Sequence, residues 1–190
     1  MVKIIWHYGE PPKDMQVRQV YAIVFDEYGR TMLKSEKVGD KLVYGMIGGT
    51  PEIFDKDRIA TLKREFLEEV NTTLKDPIFL VGYQIIEGDR DLPPYAQIRM
   101  VAMIDEIGKK QPDPDNGRTY ERILTTPEKA IKLLGWGESA EKPISTSQTL
   151  FIFSQFLTFF CTPLMHFCLS FFGITCCSFV RNKPASFCLC

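Results

Sequence analysis

Ile47-Gly48-Gly49-Thr50-Pro51-Glu52-Ile53-Phe54-Asp55-Lys56-Asp57-Arg58-Ile59-Ala60-Thr61-Leu62-Lys63-Arg64-Glu65-Phe66-Leu67-Glu68-Glu69-Val70-Asn71-Thr72 is the stretch on which the reading of this chain turns. Ile59, Leu62, Phe66 and Val70 recur at three- and four-residue spacing, which predicts a helix from about Asp57 to Val70 with one buried stripe. Asn71 is a natural stop, because asparagine tolerates the left-handed conformation that closes many helices. Glu65, Glu68 and Glu69 stand at i, i+3 and i+4 and fan over an arc about 100° wide, nearly opposite the apolar stripe. Burying the stripe against a sheet would turn the three carboxylates outward together. Like charges so close repel unless a cation compensates, and hard ions such as Mg2+ or Mn2+ are satisfied by carboxylate and carbonyl oxygens. The plain alternative is a solvated helix face on which Arg64 pairs with Glu68 at i, i+4. Gly48-Gly49 favours the first reading: strand, glycine loop and acidic helix together gather carbonyls and carboxylates around a metal-bound phosphate.

Outward from this stretch, Gln19-Val-Tyr-Ala-Ile-Val-Phe25 and Thr31-Met-Leu-Lys34 flank the turn residues Asp26-Glu-Tyr-Gly29 and predict a hairpin. Lys41-Leu-Val-Tyr-Gly-Met-Ile47 reads as a further strand that ends at the glycine pair. Beyond Pro77, residues 78–86 and 97–104 are strand-like on either side of a loop with Pro93-Pro94. A turn-rich link, Gln111-Pro-Asp-Pro-Asp-Asn-Gly117, leads into residues 120–124. Thr126-Pro127 then starts a helix to Leu134, ended by Gly135-Trp-Gly137. This order predicts a mixed sheet between helices, an α+β or α/β sandwich of α/β/α type, with no internal repeat.

The stretch from Gly49 to Thr72 resembles the Nudix box, whose pattern is Gly, five residues, Glu, seven residues, then Arg-Glu-apolar-any-Glu-Glu-any-Gly-apolar. Arg64-Glu65-Phe66-Leu67-Glu68-Glu69 matches the core at every defined position, and Gly49 and Glu52 fit the opening segment. Asp55 stands where Glu is expected, and eight residues rather than seven separate it from Arg64. Asn71 and Thr72 replace Gly and an apolar residue, and Ile47 occupies the usual Pro position. The extra residue is read as a longer loop before the helix, since an insertion within it would rotate the carboxylates apart.

The resemblance implies a Nudix-like sandwich and a hydrolase that cleaves the diphosphate linkage of a nucleoside diphosphate derivative. It implies that Glu65, Glu68 and Glu69, with the Gly49 carbonyl, hold Mg2+ or Mn2+, and that Arg64 orients a glutamate. Glu65 or Glu69 would serve as base, or an acid outside the box such as Asp113, Asp115 or Glu121. Tyr83, Tyr95, Arg99 and Tyr120 are candidates for the substrate-binding walls, although aromatic residues at strand spacing equally belong in a core. His7 and His166 stand too far apart to suggest a zinc or triad set. Two rival functions stay open: a Nudix-fold module that binds nucleotides without hydrolysis, and a membrane-anchored adaptor.

Composition divides the chain. Twenty-three Lys and Arg balance twenty-four Asp and Glu, which gives no global field for a nucleic-acid duplex. Residues 143–180 contain none of these charges, and all six cysteines and ten of the fourteen phenylalanines lie beyond residue 150. The reading is therefore a Nudix domain over residues 1–142 and an apolar tail over residues 143–190. The start has no secretory pattern and the first 160 residues no cysteine, so the domain is expected in the cytoplasm. The run 149–180 is long enough to cross a bilayer as a helix, although Pro163 and Gly173 interrupt it and basic residues on both sides fix no orientation. A membrane anchor and a shifted reading frame explain this run equally. A core element is not expected there, because the predicted elements close at Trp136.

Overall fold

The computed structural model describes residues 2–160, with side chains as far as residue 152. Eight strands form one mixed sheet: β1 (Lys3–Tyr8), β2 (Val17–Phe25), β3 (Thr31–Val38), β4 (Lys41–Gly45), β5 (Ile47–Gly49), β6 (Thr72–Glu87), β7 (Tyr95–Ile107) and β8 (Glu121–Thr125). Their order is β1-β6-β7-β2-β3-β4, with β5 against β2 and β8 against β3. Only the β2–β7 pair is parallel among the described pairings. Helix α1 (Arg58–Val70) lies on one face, and α2 (Pro127–Leu134) and α3 (Glu138–Phe160) supply the other, which is the expected α/β/α sandwich.

The two-residue period of β2 divides the core. Val20, Ala22 and Val24 pack with Leu62, Phe66 and Val70 of α1, whereas Ile23 and Phe25 pack with Ala130, Leu134, Ala140 and Ile144 from the other layer. The expected hairpin is only a corner: β2 and β3 pair at Phe25↔Thr31, after which β3 turns to pair with β8 and β4. The expected strand 41–47 is split at Met46. Before it the chain pairs with β3, and after it with β2, which sets Gly48 opposite Tyr21 and Gly49 opposite Val20.

The boundary expected at residue 142 is corrected. Helix α3 runs through it, and Ala140 and Ile144 are buried in the second core cluster while Phe151 stacks on Phe25 at 4.8 Å. The compact unit extends to Ile152. Pro143 is tolerated inside α3 for a local reason. It has no N–H to offer the Ser139 carbonyl one turn back, and that carbonyl accepts a 2.7 Å hydrogen bond from Gln84 Nε2 instead. Most of the apolar run 149–180 lies outside the described residues. Among the described residues no helix is long and apolar enough to cross a membrane.

Because Ile144 fills the core, Ile144→Ala is expected to destabilise the fold by about 2–5 kcal/mol in urea unfolding. A loss under about 0.5 kcal/mol, the size of an ordinary surface change, would mean that α3 is not part of the core.

Candidate active site

Both ends of α1 are fixed, which sets the direction in which its side chains point. Asp57 is the N-cap, its Oδ1 accepting from the Ile59 and Ala60 N–H groups at 2.9 Å. Asn71 closes the helix in the left-handed conformation at φ 42°, and its N–H donates to the Leu67 carbonyl. Its side chain donates to the Lys109 carbonyl at 2.7 Å, a tie that glycine could not make. Arg122 adds hydrogen bonds to the Val70 and Gly108 carbonyls at 2.7 and 2.8 Å. The helix is continuous from Arg58 to Val70, which keeps Glu65, Glu68 and Glu69 at unbroken helical spacing.

With Leu62, Phe66 and Val70 buried beneath α1, Glu65 and Glu69 lean toward β5 and β3, while Glu68 turns to Arg64. Glu69 is only 8% exposed; its Oε2 accepts from the Gly48 N–H at 3.2 Å, and its Oε1 pairs with Lys34 Nζ. The Glu65 carboxylate lies against Gly49, where an added Cβ would come within 2.3 Å of Oε1. Gly48 is constrained more rigidly: at φ +137° a Cβ there would meet the Val20 carbonyl at 2.2 Å. Two glycines in succession therefore let backbone and carboxylates approach each other.

Arg64 holds the rest of the cluster. Its Nη1 is 2.9 Å from Glu65 Oε1, 2.8 Å from Glu68 Oε2 and 3.5 Å from Glu52. Asp55 anchors the guanidinium from behind, accepting from Nε at 3.2 Å and Nη2 at 3.0 Å, and the Thr50 carbonyl accepts from Nη2. Asp55 thus reaches Arg64 despite its shorter side chain and the extra residue. The Arg64 hydrogen bonds hold its carboxyl at about pKa 2. Burial pushes the Glu65 carboxyl up to about 7, against the attraction of Arg64 and with added repulsion from Glu69 and Glu68. Burial raises Glu68 and Glu69 as well.

Of the acids named outside the box, Asp113 is buried and its charge acts on both Glu68 and Glu69. It also organises its own loop, accepting from the Asp115 N–H and from Asn116 Nδ2. Asp115 is exposed and acts on Glu68 through its charge, whereas Glu121 is turned to Lys110. Tyr120 is brought to the site, its ring 5.0 Å from Lys34 Nζ. Tyr83 is buried and stacked on His7, and Arg99 is 2% exposed, bonded to Gln84 and Gln97 and set over the Tyr21 ring. Tyr95 is also buried, with its hydroxyl on Asp89. These three side chains are enclosed by the protein. Lys34 was not among the sequence candidates. A signal for it existed, since it is two residues from Met32 and falls on the α1 face of β3, an unusual position for a lysine.

The donor set suits a hard divalent ion. Among the described residues, Glu52, Asp55, Glu65, Glu68 and Glu69 are paired with two cations, Arg64 and Lys34, and all offer oxygen. The contact of Glu65 with Gly49 brings a carboxylate and a backbone to one spot that a side chain would fill. Among the described residues no three of these acids are arranged to hold a metal ion: Glu65 and Glu68 lean on Arg64, and Glu69 on Lys34.

Metal-free stability should therefore depend on pH. Glu65 holds its proton to about pH 7 when folded, against a reference value of 4.5. Its contribution is full below about pH 4.5 and is lost as pH rises through 7, a drop on the order of a few kcal/mol. In chelator, Glu65→Gln is expected to flatten this decline and to be the more stable protein at pH 8. Identical pH profiles for the two proteins would contradict the burial of Glu65.

No family model matches the chain, and no curated protein matches it. Solved structures do. A Nudix hydrolase from Nitrosomonas europaea aligns at 15% identity and TM-score 0.54, over 70% of this chain and 90% of that one. A putative Nudix hydrolase from Listeria monocytogenes aligns at 17% identity and TM-score 0.52, over 72% and 96%. A Bacillus subtilis pyrophosphohydrolase aligns at 18% identity and TM-score 0.50, over 64% and 70%. At these identities the likeness is one of architecture, and by that likeness this chain has the Nudix fold.

Proposed function

We propose that this chain is a divalent-metal-dependent hydrolase that cleaves the diphosphate linkage of a nucleoside diphosphate derivative. The observation that carries the reading is the packing of Glu65 against Gly49 and of Glu69 on the Gly48 N–H, with Glu68 beside them on Arg64 and fewer cations than carboxylates among the described residues. The Nudix fold supports it, as does the activity named for the similar Bacillus subtilis protein.

Glu65, Glu68 and Glu69 would hold Mg2+ or Mn2+, with the Gly49 carbonyl as a further oxygen. Such an ion, when bound, neutralises diphosphate oxygens and eases deprotonation of the attacking water. Arg64 keeps Glu65 and Glu68 in place through Nη1, while Asp55 and the Thr50 carbonyl keep Arg64 in place. Glu65 is the base we favour. Its carboxylate lies against Gly49, and it would take the water's proton onto a carboxylate oxygen. Glu69 is less free for that step because the Gly48 N–H and Lys34 engage both of its oxygens. Asp113 would contribute charge rather than proton transfer, since its own loop engages both of its oxygens. Tyr120, buried beneath Lys34, would back the site through that lysine rather than meet substrate itself.

The test is a screen of nucleotide sugars, dinucleoside polyphosphates, dinucleotides and nucleoside triphosphates with Mg2+ and with Mn2+. At least one class should release a nucleoside monophosphate or phosphate, and Glu68→Gln or Glu69→Gln should cut turnover at least about 100-fold. Nucleotide binding without product from any class would favour the binding-module reading instead.

A further inference from the structure

Arg64 and Lys34 are both cations within the carboxylate cluster, but they are held differently. Every nitrogen of the Arg64 guanidinium is engaged, by Asp55, the Thr50 carbonyl, Glu65 and Glu68. That side chain is a fixed part of the structure. Lys34 Nζ has one anionic partner, Glu69 Oε1, and sits on the face of the Tyr120 ring with its side chain 20% exposed.

Lys34 is paired across the strands with Gly45, where even an added Cβ would make only ordinary contact, 3.5 Å from Lys34 Cε. The ring beneath Nζ is steadied by Asn116, whose Nδ2 donates to the Tyr120 hydroxyl at 3.2 Å. Glu69 Oε2 is kept by the Gly48 N–H, so Oε1 is the oxygen that can change partner.

A divalent ion that takes Glu69 Oε1 carries twice the charge of the ammonium and repels it at close range. The freed ammonium, on a flexible four-carbon stem with three donors, is suited to phosphate oxygens beside the ion. We propose that Lys34 serves twice: as counter-ion of Glu69 in the metal-free protein, and, once metal has displaced it, as a donor to the diphosphate oxygens of the substrate. This rests on the hydrolase reading above.

The experiment uses the full chain stripped of metal. Mn2+ binding is measured by electron paramagnetic resonance, and binding of α,β-methylene ADP by calorimetry in Mg2+. Lys34→Met keeps the stem and removes the charge, while Lys34→Arg keeps the charge and serves if the methionine variant does not fold. Lys34→Met should bind Mn2+ about tenfold more tightly, a gain of roughly 1.4 kcal/mol, and the analogue about tenfold more weakly. Lys34→Arg, whose broader head is harder to displace, should bind Mn2+ no more tightly than the unsubstituted protein. Unchanged or weaker Mn2+ binding by Lys34→Met, or unchanged analogue binding, would overturn the proposal, as would tighter Mn2+ binding by Lys34→Arg. If the unsubstituted protein binds no Mn2+, the hydrolase reading fails and this proposal with it. If it does bind Mn2+ and only the variants depart from expectation, this proposal alone fails.

Discussion

Carboxylates crowded on one helix face have to be neutralised, and in this protein a single guanidinium nitrogen does most of that work. Arg64 Nη1 lies within 3 Å of both Glu65 and Glu68, while Asp55 grips the opposite side of the same group. Carboxylates that share one guanidinium nitrogen repel each other, so the arrangement needs a cation fixed in place. The other local features bring the helix to that position. Asp57 and Asn71 set its ends, the switch of pairing at Met46 delivers Gly48 and Gly49 beside β2, and the missing side chains let Glu65 and Glu69 close on the backbone.

The same features connect structure to chemistry. Burial raises the proton affinity of Glu65, Glu68 and Glu69 because two cations are too few to offset the desolvation of the three carboxylates. An additional cation would relieve that burden, which is why the cluster suits a hard divalent ion better than a solvated helix face does. The partners also divide by stiffness. Arg64 is bonded at every nitrogen, whereas Lys34 has Glu69 as its carboxylate partner.

Much of the site was legible in the sequence because its determinants are local. The helix and its caps, the three glutamates on one arc, the glycine pair and the Thr126-Pro127 start of α2 each depend on residues within a few positions of one another. What was missed depends on distant partners. Strand β1 is defined by its pairing with β6, from His7↔Tyr83 to Lys3↔Glu87. Lys34 gains meaning only when α1 is laid beside β3. Helix α3 was misread for a different reason. Ala140, Ile144, Ser147 and Phe151 follow helical spacing, but Pro143 and the loss of charge made that run look like the start of a separate tail. The proline reads as a helix breaker until Gln84 is seen to take the carbonyl it leaves unbonded.

The central claim is that the face of α1 turned to Gly48 and Gly49 holds a divalent ion. Anomalous diffraction from crystals soaked in Mn2+ addresses it without any assumption about substrate. The account predicts a strong peak among the Glu65, Glu68 and Glu69 carboxylates and the Gly49 carbonyl, with Lys34 withdrawn from Glu69. A cluster without a peak, with Glu65 and Glu68 still on Arg64 and Glu69 still on Lys34, would contradict it.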